Sequence, residues 1–419
     1  MLRGAEVVIT GVGVVSPIGI GKDAFWQSLL EQQSGVRRME LFERARLPFV
    51  LGAEVQGFDA KQYVTPRKAL KVMCREIQIG YSAAALAMRD AGLEPGSVDP
   101  DRLGVVLGND MLYCDVAELV DVYRNCIEGG QFRHDSWGVR AMSDVNPLWM
   151  LKHLPNMAAC HIGIGYDARG PNNTITLGEA SSLLAVIEGS DVIARGWADV
   201  MIVGGTGSRL NVTPLVYHGD YYLSHHDGDP ARAVRPFDAN RDGTVLGEGA
   251  AAFVLETREH ATARGATVLA RVLGFGRAFD TRAGGSLGSA IRNSIAAGLA
   301  DADLKPEEIG HVNAHGLATP QHDRAEAQAI RAALGNVPVT APKSFFGNLG
   351  SGSGAVEMAA SVLALVEGEV PVTLNYESPD PQCPVNVVHG EPLAARHATA
   401  VVLSQSGTGQ AAALVLAGT

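Results

Sequence analysis

The chain has 419 residues, too many for one ordinary core and enough for two or three domain-sized units. Hydrophobic residues make up 46% and charged residues only 19%, a balance that favours a tightly packed α/β protein with short loops. The formal net charge of −11 makes the chain a poor candidate for general nucleic-acid binding, because neutralising phosphates requires an excess of Lys and Arg.

The cysteine pattern and the hydropathy limit the compartment and the cofactors. Five cysteines lie at positions 74, 114, 126, 160 and 383, without CxxC spacing. This odd, sparse count favours a reducing compartment and argues against a disulfide scaffold or a zinc site. The chain starts with a strand-like run instead of a signal peptide, and no apolar run reaches the roughly 18–20 residues that span a bilayer. We therefore expect a cytoplasmic protein with no metal and no membrane span.

Short runs rich in Val and Ile alternate with Ala-rich helical stretches along the chain. The predicted strands are Val7–Thr10, Leu103–Leu107, Val200–Val203, Ala251–Leu255, Val268–Val272 and Val401–Leu403. The predicted helices are Arg75–Ala91, Ala180–Gly196, Ser289–Ala302, Asp323–Leu334 and Ala355–Glu367. This alternation, with nearly continuous apolar strands, predicts an α/β sheet covered by helices on both faces.

One internal repeat is visible. A turn that ends in Leu-Glu-Pro95 precedes the strand at Leu103, and a turn that ends in Leu-Lys-Pro306 precedes a strand at Ile309. In both segments a helix ends, the turn follows, and the strand opens with a small hydrophobic residue and Gly. Two similar segments half a chain apart indicate a duplicated α/β unit, although such turns also recur by chance.

A carboxylate stands at a predicted strand–turn–helix elbow. Thr174–Leu177 is typical of a strand, Gly178-Glu179 of a turn, and Ala180–Gly196 of a helix. Such an elbow exposes one side chain at a helix N-terminus, where the dipole favours an anion and a reactive thiolate would profit most. From the residues alone, Glu179 is either part of a site or, as is more common, a glutamate that complements the helix dipole.

Three further segments carry candidate site residues. His315 follows a predicted strand, and ligands of α/β sheets gather at the carboxyl ends of strands. The glycine-rich loop 341–355 carries Lys343 and Asn348; a phosphate-binding loop is the rival interpretation, but the G-x-x-x-x-G-K-[ST] order is absent. The fourth segment, Leu403–Gln410, predicts a polar loop after a buried strand.

These segments occur in the order and spacing of the elongating β-ketoacyl-ACP synthases, and the resemblance covers nearly the whole chain. Its further marks are Ile9–Gly19, Asn156–His161, Arg169–Pro171, Val203–Gly205, Arg235–Gly243, Leu246–Ala250 and Asn313–Gly316, with Asp323, Glu326 and Ala327 behind it. The resemblance implies an α/β thiolase fold, with duplicated βαβ-type halves in five layers (αβαβα), and an obligate dimer. It divides the chain into an N-terminal half, 1–258, with an insertion at about 111–154, and a C-terminal half, 259–419.

Active synthases of this type share a Cys-His-His triad, a lysine and an aromatic gate. The matching positions are Glu179 in place of the Cys, His315, Lys343, Asn348 in place of the second His, and Ser406-Gly407 at the gate. In the family, the Cys carries the acyl chain as a thioester and the histidines stabilise the oxyanion that develops as malonyl decarboxylates. A carboxylate cannot take up an acyl chain by transthioesterification, so we expect no condensation by this chain alone.

The substitutions resemble those of chain-length factors, the Cys-less subunits that pair with an active synthase in polyketide and aryl-polyene systems. We therefore expect a non-condensing subunit that shapes a pocket for its partner. Retention of His315 separates the chain from many such subunits. Two alternatives stay open: a malonyl-ACP decarboxylase that uses His315 and Asn348, and a homodimeric acyl-binding pseudoenzyme. The first depends on whether Glu179 is ionised or is protonated and so resembles a neutral Gln.

The resemblance also implies two contact surfaces and no cofactor beyond the phosphopantetheine arm of an acyl carrier protein. The stretch Met111–Leu154 lies where the family builds its dimer interface, and its aromatic residues suit a partner surface or a pocket wall. These aromatic residues are Tyr123, Phe132, Trp137 and Trp149. A surface excursion with its own small core is the alternative.

The second surface is a short basic segment. The family places carrier-docking residues at the positions of Arg67, Lys68 and Lys71. If the segment is an α-helix, Arg67 and Lys71 share one face, which would complement an acidic carrier protein. A solvated charged face is the alternative.

Overall fold

A computed structural model describes residues 4–44, 47–213, 215, 222–280 and 288–419. The strands of the first half are β1 (Val7–Ser16), β2 (Gly19–Ile20), β3 (Arg37–Arg38), β4 (Leu51–Ala53), β5 (Leu103–Gly108), β6 (Ile127–Glu128), β7 (Gln131–Phe132), β8 (Asn172–Ile175), β9 (Val200–Ser208) and β10 (Leu246–Thr257). Those of the second half are β11 (Ala270–Phe279), β12 (His311–Asn313), β13 (Pro338–Thr340), β14 (Glu369–Val370), β15 (Asn386–Val387), β16 (Leu393–Ala394), β17 (Thr399–Gln405) and β18 (Gln410–Ala417).

The α-helices include all five that the sequence predicts. They are α1 (Lys22–Leu30), α2 (Glu40–Arg44), α3 (Arg75–Asp90), α4 (Val120–Asn125), α5 (Trp137–Asp144), α6 (Met157–Tyr166), α7 (Ser181–Ala194), α8 (Arg258–Ala263), α9 (Gly288–Ala302), α10 (Pro320–Leu334), α11 (Lys343–Phe346) and α12 (Ser353–Glu367). The predicted helix ends differ from the observed ones by no more than three residues, the usual fraying of helix boundaries. Most predicted strands continue further than expected, since Gly and Ala extend the ladders.

The sheet topology confirms the duplication. In the first half the order is β8-β5-β9-β10-β1, and in the second it is β13-β12-β17-β18-β11, with β15 added at the edge. In each half the first three strands are parallel and the last two join antiparallel. The strands that follow the repeated turns, β5 and β12, occupy the same place in the two halves, so the repeated turn is a trace of the duplicated unit.

The helices and half-sheets form five layers, which pack together through three hydrophobic clusters. One cluster lies between the half-sheets and holds the buried faces of α7 and α12. A second packs α3 and α6 against the first half-sheet, and a third packs α9 and α10 against the second. The half-sheets join where β1 runs antiparallel to β11, with Val7 opposite Val272. This is the αβαβα arrangement of a thiolase fold, as predicted.

Small residues let the central helix α7 approach the sheet closely. A Cβ added at Gly108, the last residue of β5, would lie 2.4 Å from the backbone nitrogen of Ser182. A Cβ at Gly205 in β9 would lie 2.4 Å from the Cβ of Ser182. The N-terminus of α7 is therefore pressed against the carboxyl ends of two strands, where α/β proteins place their ligands.

The basic segment corrects one expectation. Residues Arg67–Val72 form a 3₁₀ helix and not an α-helix. With three residues per turn, Lys68 and Lys71 share a face and Arg67 does not lie beneath Lys71. All three side chains are exposed. The expectation that Arg67 and Lys71 share one face, which requires an α-helix, is therefore wrong.

The stretch Met111–Leu154 is an excursion that packs loosely. It contains α4, the hairpin β6–β7 and α5, and many of its large apolar side chains are exposed. Tyr123 lies with its ring centroid 4.7 Å from that of Trp137 and 5.9 Å from that of Phe132, so a small aromatic cluster does exist. Elsewhere Val139 is 76% and Met142 88% exposed.

Within the part of the chain that the structure describes, no helix is long and apolar enough to cross a membrane.

Candidate active site

The strand–turn–helix elbow is present, and Glu179 stands at it. Strand β8 ends at Ile175, and α7 begins at Ser181. Gly178 has a positive φ of 59°, which lets the chain turn sharply, and its position faces the Ser406 hydroxyl. The Ser404 hydroxyl donates a 2.8 Å hydrogen bond to the backbone carbonyl of Glu179. The predicted strand Thr174–Leu177 is observed two residues earlier, because the elbow takes up Leu177.

The Glu179 carboxylate is held by an arginine that sequence reasoning missed. Arg209 Nη2 lies 3.0 Å from Glu179 Oε1 and 3.4 Å from Asp110 Oδ2. Asn348 Nδ2 donates to the same Glu179 oxygen at 3.2 Å. The side chains of Glu179 and Arg209 are only 16% and 12% exposed. Arg209 directly follows β9, so the rule that singled out His315 at a strand carboxyl end applies to it equally.

These partners keep Glu179 ionised. Burial by itself would raise the pKa of the Glu179 carboxyl, but the Arg209 guanidinium, its own backbone N–H, the Asn348 amide and the Lys343 ammonium outweigh it. The net result is a pKa below the ordinary value for glutamate. At neutral pH the elbow therefore carries a carboxylate, and a neutral imitation of Gln is disfavoured.

Asn348 is fixed in the orientation that faces Glu179. Its Oδ1 accepts from the backbone N–H of Gly350 at 2.9 Å and from the Ser353 hydroxyl at 3.3 Å. Its backbone N–H donates to Val245 at 2.7 Å, which ties the loop to the segment before β10. With the carbonyl oxygen engaged, the amide nitrogen is left to donate to Glu179 or to a ligand.

Two histidines face the same cavity, one of them expected and one not. His315, two residues beyond β12, is buried, and burial together with the charges of Lys343 and His322 holds its pKa well below the ordinary value. Burial also lowers the pKa of His322, although Glu179 opposes it. His322 Nδ1 lies 2.9 Å from the Thr319 hydroxyl. Both imidazoles are therefore neutral near pH 7 and offer hydrogen bonds, not charge.

The loop that carries His315 is anchored behind the site. The backbone N–H groups of His315 and Gly316 donate to the two carboxyl oxygens of Glu326 at 2.7 and 2.9 Å. Ala318, a non-glycine residue, has a positive φ of 64°, a strained conformation of the kind that clusters at functional sites. Glu326 on α10 thus fixes the backbone from which His315 projects.

Lys343 lies beneath the cavity and does not line it. Its ammonium forms an ion pair with Glu357 on α12, and both side chains are fully buried. Burial raises the pKa of the Glu357 carboxyl, while the charge of Lys343 lowers it. The rival phosphate-binding interpretation of this loop is not supported, because the lysine is committed to a buried carboxylate.

A cavity of about 680 Å³ connects the expected positions. Glu179, His315 and Asn348 line it, and so do Ser406 and Gly407 of the expected gate loop. The gate loop is held by its own hydroxyls: Ser406 Oγ lies 2.6 Å from Thr408 Oγ1. A serine at this place leaves the opening without a bulky ring. The predicted site residues thus line one cavity, except Lys343, which is buried and does not line it.

The functional groups that line the cavity determine which chemistry is possible there. It offers amide and imidazole hydrogen-bond donors, an arginine and a carboxylate, but no cysteine is among its described lining residues. Among the residues that the structure describes, no group of three or more His, Cys, Asp or Glu side chains could hold a metal ion. The donors can bind a carbonyl oxygen or an oxyanion. At the elbow, a carboxylate stands where a thiolate nucleophile would be needed to carry an acyl chain.

The duplicated five-layered fold, with a cavity at the strand carboxyl ends between its halves, defines a thiolase-like protein. Comparison with known families agrees: "Beta-ketoacyl synthase, N-terminal domain" matches residues 5–261, and "Beta-ketoacyl synthase, C-terminal domain" matches residues 269–377. The chain therefore belongs to the beta-ketoacyl synthase family, as the motifs predicted.

Similar proteins include a 3-oxoacyl-[acyl-carrier-protein] synthase and a polyketide synthase subunit. The chain is 35% identical to 3-oxoacyl-[acyl-carrier-protein] synthase 2 of Synechocystis over 93% of its length and 92% of the relative's. It is also 35% identical to the tetracenomycin polyketide synthase ketoacyl synthase alpha subunit of Streptomyces glaucescens, over 93% and 92% of the two chains.

Solved structures give the same picture. A beta-ketoacyl synthase from Burkholderia phymatum has a TM-score of 0.89 and 30% identity over 99% of this chain and 100% of that one. The ishigamide ketosynthase/chain length factor has a TM-score of 0.87 and 27% identity, with full coverage of both chains.

The lowered pKa of Glu179 predicts a pH-dependent stability. A carboxyl whose pKa is lower in the folded than in the unfolded protein stabilises the fold above the unfolded value, about 4.3, and ceases to do so as the pH falls through the folded value. Glu179→Gln should therefore lower the free energy of unfolding by about 1–3 kcal/mol at neutral pH. This difference should disappear in acid, in chemical or thermal unfolding across a pH series.

Asp110→Asn is the matched control, because Asp110 contacts the same guanidinium at a longer distance and is more exposed. It should cost less than about 1 kcal/mol. A Glu179→Gln protein as stable as wild type at neutral pH would contradict the assignment of an ionised, stabilising Glu179.

Proposed function

We propose that this chain is a non-condensing subunit of fatty-acid or polyketide synthesis, similar to a chain-length factor, that pairs with a Cys-bearing ketosynthase. The observation that carries the proposal is the ionised Glu179, paired with Arg209, at the N-terminus of α7. There the family's chemistry requires a thiolate that can accept and release an acyl chain. A carboxylate locked in an ion pair does neither.

The decarboxylase alternative draws on His315 and Asn348, which still offer donors to an oxyanion. The charge state of Glu179 weighs against it, because the incoming malonyl group brings a second carboxylate. Two like charges about 4 Å apart repel by about 4 kcal/mol at an effective dielectric of about 20. Arg209 offsets part of this repulsion, but it is already shared between Glu179 and Asp110. A homodimeric acyl-binding role is the remaining alternative.

A strand at the edge of the sheet and exposed apolar side chains support pairing with another chain. Strand β8 forms the open edge of the half-sheet, paired on one side with β5. Ile164 on α6, which packs against β8, is exposed, and the excursion 111–154 that precedes α6 in the chain also carries exposed apolar side chains. An open strand edge and apolar side chains left in water are features that a partner chain covers. A ketosynthase of the same fold would have an equivalent edge strand to pair with it.

The basic segment is proposed to receive the acyl carrier protein. Arg67, Lys68 and Lys71 are exposed on a 3₁₀ helix, which contacts the short helical turn Trp149–Lys152 of the excursion. The proposed carrier surface would therefore lie next to the proposed partner surface. Positive charge on this segment complements an acidic carrier, whose phosphopantetheine arm would deliver the acyl group.

Malonyl-ACP decarboxylation separates the two leading functions. The purified chain, incubated with malonyl-ACP and followed by mass spectrometry, should yield no acetyl-ACP above the uncatalysed rate. Glu179→Gln removes the repulsion, and its rate should rise by up to about three powers of ten, the equivalent of about 4 kcal/mol. Rapid turnover by the wild-type chain that is abolished in His315→Ala would overturn the non-catalytic proposal.

Partner binding tests the proposal directly. Co-expressed with a Cys-bearing ketosynthase encoded nearby, the chain should co-purify with it as a heterodimer. Met142→Glu should weaken this complex at least about tenfold, since burying a Met side chain is worth about 1.5–3 kcal/mol. Val366→Glu, which alters an exposed apolar residue on α12 instead, is the control. Homodimers alone with every candidate partner would favour the acyl-binding alternative.

Carrier docking is tested by charge reversal. Because Lys68 and Lys71 share a face of the 3₁₀ helix, the double change to Glu should weaken carrier binding about tenfold or more at low salt, and the difference should shrink as salt is added. Lys305→Glu, next to a 3₁₀ turn at the opposite end of β12 from the cavity, is the control. Equal carrier affinity for both variants in surface plasmon resonance would count against this docking site.

A further inference from the structure

We infer that Arg209 is a plug that sets the depth of the cavity, and so the length of acyl chain that it accepts. This inference rests on the proposed function and names a specificity-determining residue within it. Arg209 lines the main cavity of about 680 Å³. The same side chain also lines a second, separate cavity of about 20 Å³. The smaller one has room for about one water molecule.

Two residues form the wall between the cavities. Asp110 and Arg209 line both of them. Beyond this wall the small cavity is lined by residues 109–113, which lead from the end of β5 into the excursion. The Arg209–Asp110 contact of 3.4 Å therefore lies in the wall that the two cavities share. A shorter residue at position 209 would join them.

Arg209 is held in the plugging position from three sides. Its guanidinium is bound by Glu179, which lines the main cavity, and by Asp110, which lines both cavities. On the third side is Gly350, with a positive φ of 61°, where an added Cβ would lie 2.8 Å from Arg209 Nε. The glycine therefore leaves room for the arginine stem. A side chain fixed by two carboxylates and a fitted backbone is a built feature of the cavity, not a surface arginine that happens to lie near it.

The small cavity adjoins the start of the excursion, which belongs to the proposed partner surface. The segment after β9 is tied to the stem of the excursion: Asn211 Nδ2 donates to the Tyr113 carbonyl at 3.2 Å, and the Thr213 hydroxyl to the Cys114 carbonyl at 3.1 Å. Leu112 is buried at the small cavity, and Met111 beside it is exposed on the excursion. A chain that passed Arg209 would thus reach the region where the partner is proposed to bind.

The test uses a homologous series of saturated straight-chain fatty acids, whose binding is followed by displacement of a fluorescent fatty acid. For the wild-type chain, affinity should rise by about fourfold per methylene until the chain meets Arg209, and then level off. In Arg209→Ala the plateau should move by about two methylenes or more, so that the longer acids bind about fifteenfold tighter than to wild type. Arg102→Ala, which removes an arginine from a surface ion pair with Asp199, should keep the wild-type plateau.

Loss of Arg209 leaves Glu179 and Asp110 without their cation, so a second variant guards against misfolding. Arg209→Gln keeps an amide that can donate to Glu179 on a shorter side chain, and its plateau should move in the same direction. If a folded Arg209→Ala or Arg209→Gln protein levels off at the wild-type chain length, the plug is disproved. Co-purification with the ketosynthase partner is scored separately, so that result would leave the non-condensing role standing.

Discussion

The ion pair between Glu179 and Arg209 is the interaction on which the site depends. A carboxyl taken out of water tends to become neutral, because desolvation penalises its charged form. Here the guanidinium at 3.0 Å and the Asn348 amide at 3.2 Å reverse that tendency. The end of the cavity nearest α7 is consequently occupied by the protein's own charges. Both histidines of the cavity stay neutral, so Arg209 carries the positive charge that balances the carboxylate within the cavity lining.

Duplication of the fold explains how these groups come together. The elbow with Glu179 and the strand that ends before Arg209 belong to the first half of the chain. His315, Asn348 and Ser406 belong to the second. The two half-sheets are joined where β1 pairs with β11, and they enclose α7 and α12. The carboxyl ends of both sets of parallel strands therefore open on one cavity. The first half alone would supply the Glu179–Arg209 ion pair without the Asn348 amide and the His315 imidazole.

Packing differs sharply between the centre and the excursion. At the centre, buried residues surround the site, and glycines such as Gly108, Gly205 and Gly350 permit contacts that any Cβ would prevent. In the excursion, large apolar side chains remain in water. The first pattern fixes a geometry and the second leaves a surface incomplete. This contrast supports the proposal that another chain covers the excursion.

The sequence by itself determined the fold class, the duplication and the positions of Glu179, His315, Lys343 and Asn348, because periodic apolar runs and collinear motifs are local signals. Tertiary structure decided which groups meet. Arg209 lies 30 residues from Glu179, and nothing local marks it as the partner. The charge state of Glu179, the withdrawal of Lys343 to Glu357, and the approach of His322 to the cavity likewise follow from distances through space. A pKa and an ion pair depend on neighbours that folding, not sequence order, provides.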